Sequence, residues 1–351
     1  MSRLAALPRP VYFKFPIDEN WREVLDQRTS LELIDANHWR FRECNDCWVM
    51  LTYLHLRARG LDVRITDSFV PGEICVASYW DLPIRALPYR SYVVACRHDG
   101  PRPEICEQTI VQNPSQAVRP TDHLIQHWPQ PGLIPRDPSR GTVLRRVDYK
   151  GWENNLWEPL RVPRFRQELA KLGIEFHIDG KPPDSRQLRW HDYAEVDAVL
   201  AIRDLTDRDY YNKPASKLVN AWLAGVPALL GPEPAYQALR RSELDYFEVH
   251  TVREAIDAIA RLAADRELYA AVAENARLRS REFTTDQIAA RWREVLAGPV
   301  TEGFLRWRSA PYKSVIHPSS FVFRAVRHKF EYHAYLKRRD RGYRPISGSR
   351  T

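Results

Sequence analysis

No run of 18 apolar residues occurs anywhere in the 351, so no helix able to cross a bilayer is expected. The first ten residues, Met-Ser-Arg-Leu-Ala-Ala-Leu-Pro-Arg-Pro, lack the apolar core of a secretory signal, which points to the cytoplasm. Cysteine is scarce, five in all and an odd number, so a disulfide framework is not expected. Cys44-Asn-Asp-Cys47 has no second pair to complete a zinc site, and its thiols read as buried helix residues. Neither a P-loop, nor H-E-x-x-H, nor G-x-G-x-x-G is present, which leaves NTPase and zinc-peptidase chemistry without support. No repeat of about 20–50 residues is visible. Net positive charge is also missing, except at one end. Of 53 Lys/Arg and 45 Asp/Glu, residues 301–351 hold 12 and 3, and the remaining 41 and 42 nearly cancel. That excludes a whole-surface nucleic-acid binder and leaves one local basic patch.

What is present is a globular composition, 44% apolar and 28% charged, on a chain long enough for two domains. Strand and helix signals alternate. Residues 10–15 read as a first strand, with a helix near 20–28. Residues 46–59 read as a helix with Trp48, Leu51, Leu54 and His55 on one face and Gly60 at its end. Strands are expected at 61–66, 74–78, 92–96, 109–112 and 123–126. Residues 127–141 hold four prolines and two glycines and read as an interdomain linker. Beyond it, strands at 143–149, 174–178, 196–202 and 246–249 alternate with helices at 163–172, 252–264, 267–280 and 285–297. This alternation predicts parallel sheets covered on both faces.

The most informative stretch is 212–231. Ala215, Leu218, Val219 and Trp222 fall at i, i+3, i+4 and i+7, the stripe of a helix lying on a sheet. Pro214 suits its first turn and Gly225 its left-handed C-terminal cap. Val226-Pro-Ala-Leu-Leu230 reads as a short strand buried on both faces. Lys213, Ser216 and Lys217 cluster where the helix opens. Free N–H groups and the positive dipole end favour phosphate there. Two cations and a hydroxyl at that place make a diphosphate cradle; the alternative is a solvated face.

Asn220-Ala-Trp-Leu-Ala-Gly-Val-Pro-Ala-Leu-Leu230 resembles the donor-binding core of glycosyltransferases with the two-Rossmann (GT-B) fold, especially family 4 and its relatives. Their pattern is a small-residue helix, then Ala/Cys-Gly-x-Pro, then an aliphatic strand. The resemblance is strongest over residues 195–232. It implies an α/β fold of two Rossmann-like domains facing across a cleft, 1–140 for the acceptor and 141–297 for the donor. It implies transfer of a sugar from a nucleotide-sugar to a hydroxyl of a glycan or lipid-linked acceptor. The nucleotide-sugar is a co-substrate, so no resident cofactor is implied. In family-4 retaining enzymes two glutamates stand eight residues apart, the first helping to hold the sugar and the second the ribose hydroxyls. Through the Ala-Gly-x-Pro segment those places fall on Asn212 and Asn220. Asparagine hydrogen-bonds a hydroxyl but brings no charge. The stereochemical outcome is thereby left open, and a catalytically silent relative is the alternative reading.

Ligands of parallel α/β sheets bind outside the carboxyl ends of the strands, and further loops fall there. Arg97-His98-Asp99-Gly100 follows the 92–96 strand and resembles the family's His-Asp acceptor-side element. His98 or Asp99 would serve there as general base, or His98 would contact the donor sugar; the plainer reading is an Asp-Gly turn. Gly151, followed by Asn154 and Asn155, permits close approach of a diphosphate to the backbone, or makes a simple turn. Arg203 and Asp204 end the 196–202 strand and suit donor contacts. No metal is expected, because Lys213, Lys217 and the helix end would neutralise the leaving diphosphate. The rival signal is Asp207-Arg-Asp209, the D-x-D with which single-Rossmann glycosyltransferases hold a divalent metal.

Residues 298–351 form a basic aromatic tail. Ser319 or Ser320 is placed to cap a helix running to about residue 339, with Val322, Val326, Phe330 and Ala334 on one face. The tail packs back on the first domain, touches the anionic inner leaflet of a membrane, or binds nucleic acid. The expectation is one of the first two, hence a cytoplasmic protein that in the second case sits peripherally at the membrane.

Overall fold

The computed structural model describes residues 4–180, 182–204, 212–311 and 313–341. They divide into two compact units. Residues 4–128 and 285–341 make the first, and 129–284 the described part of the second. Each unit is built on one all-parallel sheet.

The first sheet contains β1 (Val11–Lys14), β2 (Val63–Thr66), β3 (Ile74–Ser78), β4 (Tyr92–Cys96), β5 (Gln108–Val111) and β6 (Asp122–Leu124), in the order β2-β1-β3-β4-β5-β6. The second contains β7 (Arg146–Lys150), β8 (Glu175–Asp179), β9 (Ala198–Ala201), β10 (Ala228–Leu230) and β11 (Phe247–Glu248), in the order β8-β7-β9-β10-β11. Both orders belong to the doubly wound class, in which the chain runs outward from the first strand in one direction and then in the other. Strands β3, β4, β5, β9 and β10 are buried at every residue. This is why β4, β9 and β10 are unbroken apolar runs rather than alternating ones, and β3 nearly so, whereas β5 buries the polar Gln108 and Thr109.

Several elements differ from the sequence reading in their ends. The 46–59 helix opens with a π-helical turn, Asp46–Met50, before the α-helix Leu51–Ala58. The 216–224 helix, Ser216–Ala224, begins after Pro214, with Ala215 at its N-cap. Gly225 does adopt the left-handed cap, at φ +72. The Pro-rich segment after 128 is woven into the second unit. Asp197, wholly buried, takes the guanidinium groups of Arg136 and Arg140 and the backbone N–H groups of Arg145 and Arg146.

The C-terminal helices return to the first unit. Trp292 on the helix Thr285–Val295 packs on Phe13 and Trp48. Arg59 donates to Asp286 at 2.7 Å and to Thr285 at 3.0 Å. Phe304 meets Tyr92 edge-on at 5.9 Å. The last helix, Lys313–Asp340, is one continuous element. Its start lies before Ser319 and Ser320, and it absorbs Pro318 at the loss of one i→i−4 bond. Among the described residues no helix is long and apolar enough to cross a membrane, and no cluster of metal-ligating side chains is found. No disulfide joins the cysteines of the described residues, Cys44 and Cys47 included.

Candidate functional site

In the second sheet the order of strands reverses between β7 and β9, the place where a doubly wound sheet opens to a ligand at its carboxyl ends. β7 ends at Lys150 and leads into Gly151; β9 leads into Ile202 and Arg203. Lys217, on the first turn of the 216–224 helix, donates to the Lys150 carbonyl, and its ammonium lies 4.8 Å from the centre of the Tyr149 ring. Gly151 makes this possible. Its φ is +153, and a Cβ there would stand 2.7 Å from Lys217 Nζ and 3.1 Å from the Tyr149 hydroxyl.

The charge around Lys217 is mostly of its own sign. Burial, with Arg203 and Lys213 nearby, lowers its pKa to about 7, while Glu233 works the other way. Glu233 follows β10 and its carboxylate is 3.7 Å from Arg203 Nε. Three cations and one carboxylate thus surround the start of a nine-residue helix. Its dipole and free N–H groups add to the same field. A dianion arriving here would re-protonate Lys217 and remove the mutual repulsion. The Lys150 ammonium takes no part, because Asp148, Asp179 and the Asp192 carbonyl hold it within the core.

The remaining donor-side candidates are placed as follows. Asn212 and Lys213 are half-buried just before the helix, and Ser216 is its first residue. Asn155 sits on the short turn Glu153–Asn155, its N–H on the Trp152 carbonyl, and no side-chain bond ties it to Lys217 among the described residues. Asn220 is buried, and its side-chain oxygen accepts the Gln130 N–H at 3.1 Å. The chain itself therefore occupies part of this side chain's hydrogen-bonding capacity. Asp207 and Asp209 lie outside the described residues.

In the first unit His98 and Asp99 follow β4. His98 is 1% exposed and adopts φ +39, a left-handed conformation uncommon outside glycine. Neither of its ring nitrogens has a hydrogen-bond partner among the described residues. Burial holds its pKa down to about 4, so the ring is neutral at ordinary pH. Asp99 is half-buried and accepts from Gln112 Nε2 at 2.7 Å. Gln112 is oriented in turn by Trp48, whose indole N–H donates to Oε1 at 3.1 Å. Gln116 donates to the His98 carbonyl at 2.9 Å, and His127 stacks edge-on to Trp48 at 5.5 Å. The carboxyl ends of β4, β5 and β6 thus bring together two histidines, a carboxylate and two glutamines.

No protein-family model matches the chain, and no curated protein matches it in sequence. Solved structures with a similar fold include TarM of S. aureus, at 12% identity over 64% of this chain and 54% of that one, with a TM-score of 0.47. Anabaena HepE in complex with UDP and glucose is 13% identical over 82% and 98%, at 0.48. AviGT4, a glycosyltransferase involved in avilamycin A biosynthesis, is 14% identical over 82% and 98%, at 0.45. The chain spans little more than half the length of TarM. At these scores the likenesses add nothing to the chemistry that the site's geometry supplies.

Sequence reading passed over Glu233, Gln112 and His127. A signal existed for all three, since each follows directly or closely on a parallel strand at its carboxyl end. In the sequence Gln112 reads as the end of a strand and His127 as the start of the linker.

Proposed function

We propose that the chain is a glycosyltransferase that moves a sugar from a nucleotide-sugar to a hydroxyl of a glycan or lipid-linked acceptor. The observation that carries this reading is the Lys217 ammonium, held on the Lys150 carbonyl and packed against Gly151 at the switch point of the second sheet. A positive group kept short of negative charge at a helix start suits a diphosphate. Lys213, Lys217, Arg203 and the helix end would stabilise the charge that develops on the leaving diphosphate, without need of a metal. Asn212 would hydrogen-bond the sugar. In the first unit Asp99, oriented by Gln112, would accept the proton of the acceptor hydroxyl. His98, neutral and with neither nitrogen partnered among the described residues, suits hydrogen bonding to a sugar hydroxyl better than proton removal.

Donor turnover tests this reading: a panel of nucleotide-sugars is incubated with the protein and release of the nucleoside diphosphate is followed. Turnover that survives a chelator and is lost in Lys217→Ala supports it. Strict dependence on manganese would favour Asp207 and Asp209 instead. One observation favours a second reading, a silent binding protein: Asn212 and Asn220 bring no charge, and Asn220 is tied to Gln130. Nucleotide binding with no turnover of any donor would select it.

A further inference from the structure

The helix Lys313–Asp340 has two faces, and only one of them is used by the fold. On the inner face Phe321 meets Tyr89 at 5.0 Å and His328 meets Tyr79 at 5.4 Å. Arg324 donates to Glu107 at 2.8 Å and to the Cys106 carbonyl at 3.0 Å. The outer face carries Val322, Phe323, Val326 and Phe330, exposed by 63%, 66%, 49% and 72%. At about 100° per residue these four fall within roughly a third of the helix circumference. Lys329 and Lys337 lie on or beside the same stripe and are exposed. Glu331, the only acidic residue between 313 and 339, lies roughly 125° from the middle of the stripe.

We propose that this outer face docks on an anionic lipid surface, with Phe323 and Phe330 entering the headgroup boundary and Lys329 and Lys337 meeting acidic headgroups. An exposed apolar stripe edged by lysines is the pattern of helices that lie in the plane of such an interface. A second copy of this chain is the poorer occupant. Residues 313–341 hold eight Lys/Arg against two Asp/Glu, and two copies face to face would bring like charges together. The proposal stands apart from the glycosyltransferase reading, since none of these residues touches the Lys217 or Asp99 groups.

The test is co-sedimentation of the full chain with vesicles of phosphatidylcholine alone and of phosphatidylcholine with about one third phosphatidylglycerol. The wild-type chain pellets with the second and stays behind with the first, and binding falls steeply with salt. Lys329→Glu with Lys337→Glu lowers the partition coefficient about ten-fold or more, and Phe323→Ser with Phe330→Ser does the same. These side chains are exposed, so both variants keep the wild-type unfolding temperature. No binding to acidic vesicles, or equal binding by wild type and both variants, overturns the proposal. So does a wild-type dimer in sedimentation velocity that the phenylalanine variant dissociates, which would assign the face to a second copy.

Discussion

The Lys217 ammonium and the α-carbon of Gly151 are close enough that a single added methyl group would collide with the charge: the Cβ would come within 2.7 Å of Nζ. One glycine therefore decides whether the cation can reach the end of β7. Gly151→Ala is expected to cost about 1–3 kcal/mol of stability, since its φ of +153 is a conformation side chains rarely adopt. It should also weaken nucleoside diphosphate binding by about ten-fold or more, through displacement of Lys217. Chemical denaturation and calorimetric titration measure the two effects separately.

Binding of a diphosphate should take up a proton. Lys217 has its pKa lowered to about 7, so at pH 8 it is mostly neutral before the ligand arrives. A bound dianion restores the charged form. Uptake approaching about 0.9 proton at pH 8 is expected, falling to nearly none at pH 5.5, with affinity dropping as pH rises above 7. Titration calorimetry in two buffers of different ionisation enthalpy reads the number directly. Zero uptake at pH 8 would mean that Lys217 is not the group that meets the ligand.

His98 should make the protein sensitive to acid. Its folded pKa of about 4 lies below the unfolded value of about 6.5. Between those values the unfolded chain binds a proton that the native state refuses, so stability is lost as pH falls from 6.5 towards 4. The full effect is about 3 kcal/mol. Asparagine tolerates the left-handed backbone at this position. His98→Asn should therefore flatten that part of the stability curve relative to wild type. Parallel curves for the two proteins would show that the ring is not buried as described.

Gly303, on the helix Thr301–Ser309, sits against the Tyr92 hydroxyl and the Gln108 amide, both of which a Cβ would strike. Both partners are buried and bonded to each other at 2.7 Å, so neither has room to yield. Gly303→Ala should cost about 1–3 kcal/mol by overpacking, with a matching fall in unfolding temperature.

The central strands β3 and β4 were legible because strands buried on both faces leave apolar runs. Ile74–Ser78 and Tyr92–Cys96 fall where the sequence puts them. The 216–224 helix was legible through its 3.6-residue stripe and Gly225. The last helix was less so. Pro318, Ser319 and Ser320 together imitate a helix start, and the face read from Val322, Val326 and Phe330 is the exposed one. The docked face uses Arg324 and His328, whose partners Glu107 and Glu104 lie more than 200 residues away. Hydropathy has no means of pairing them. Within the site, Lys217 was visible as a cation at a helix start. Its contact with Gly151, the Gln130 bond to Asn220 and the Trp48–Gln112–Asp99 relay were not, because each joins distant segments.

The most direct test of the cation group around Lys217 is calorimetric titration of nucleoside diphosphates into the wild-type chain and Lys217→Ala at pH 7. At least one nucleoside diphosphate should bind the wild type, and the variant should lose about ten-fold or more in affinity. Equal affinity in the two proteins, or no binding of any nucleoside diphosphate to the wild type, would contradict it.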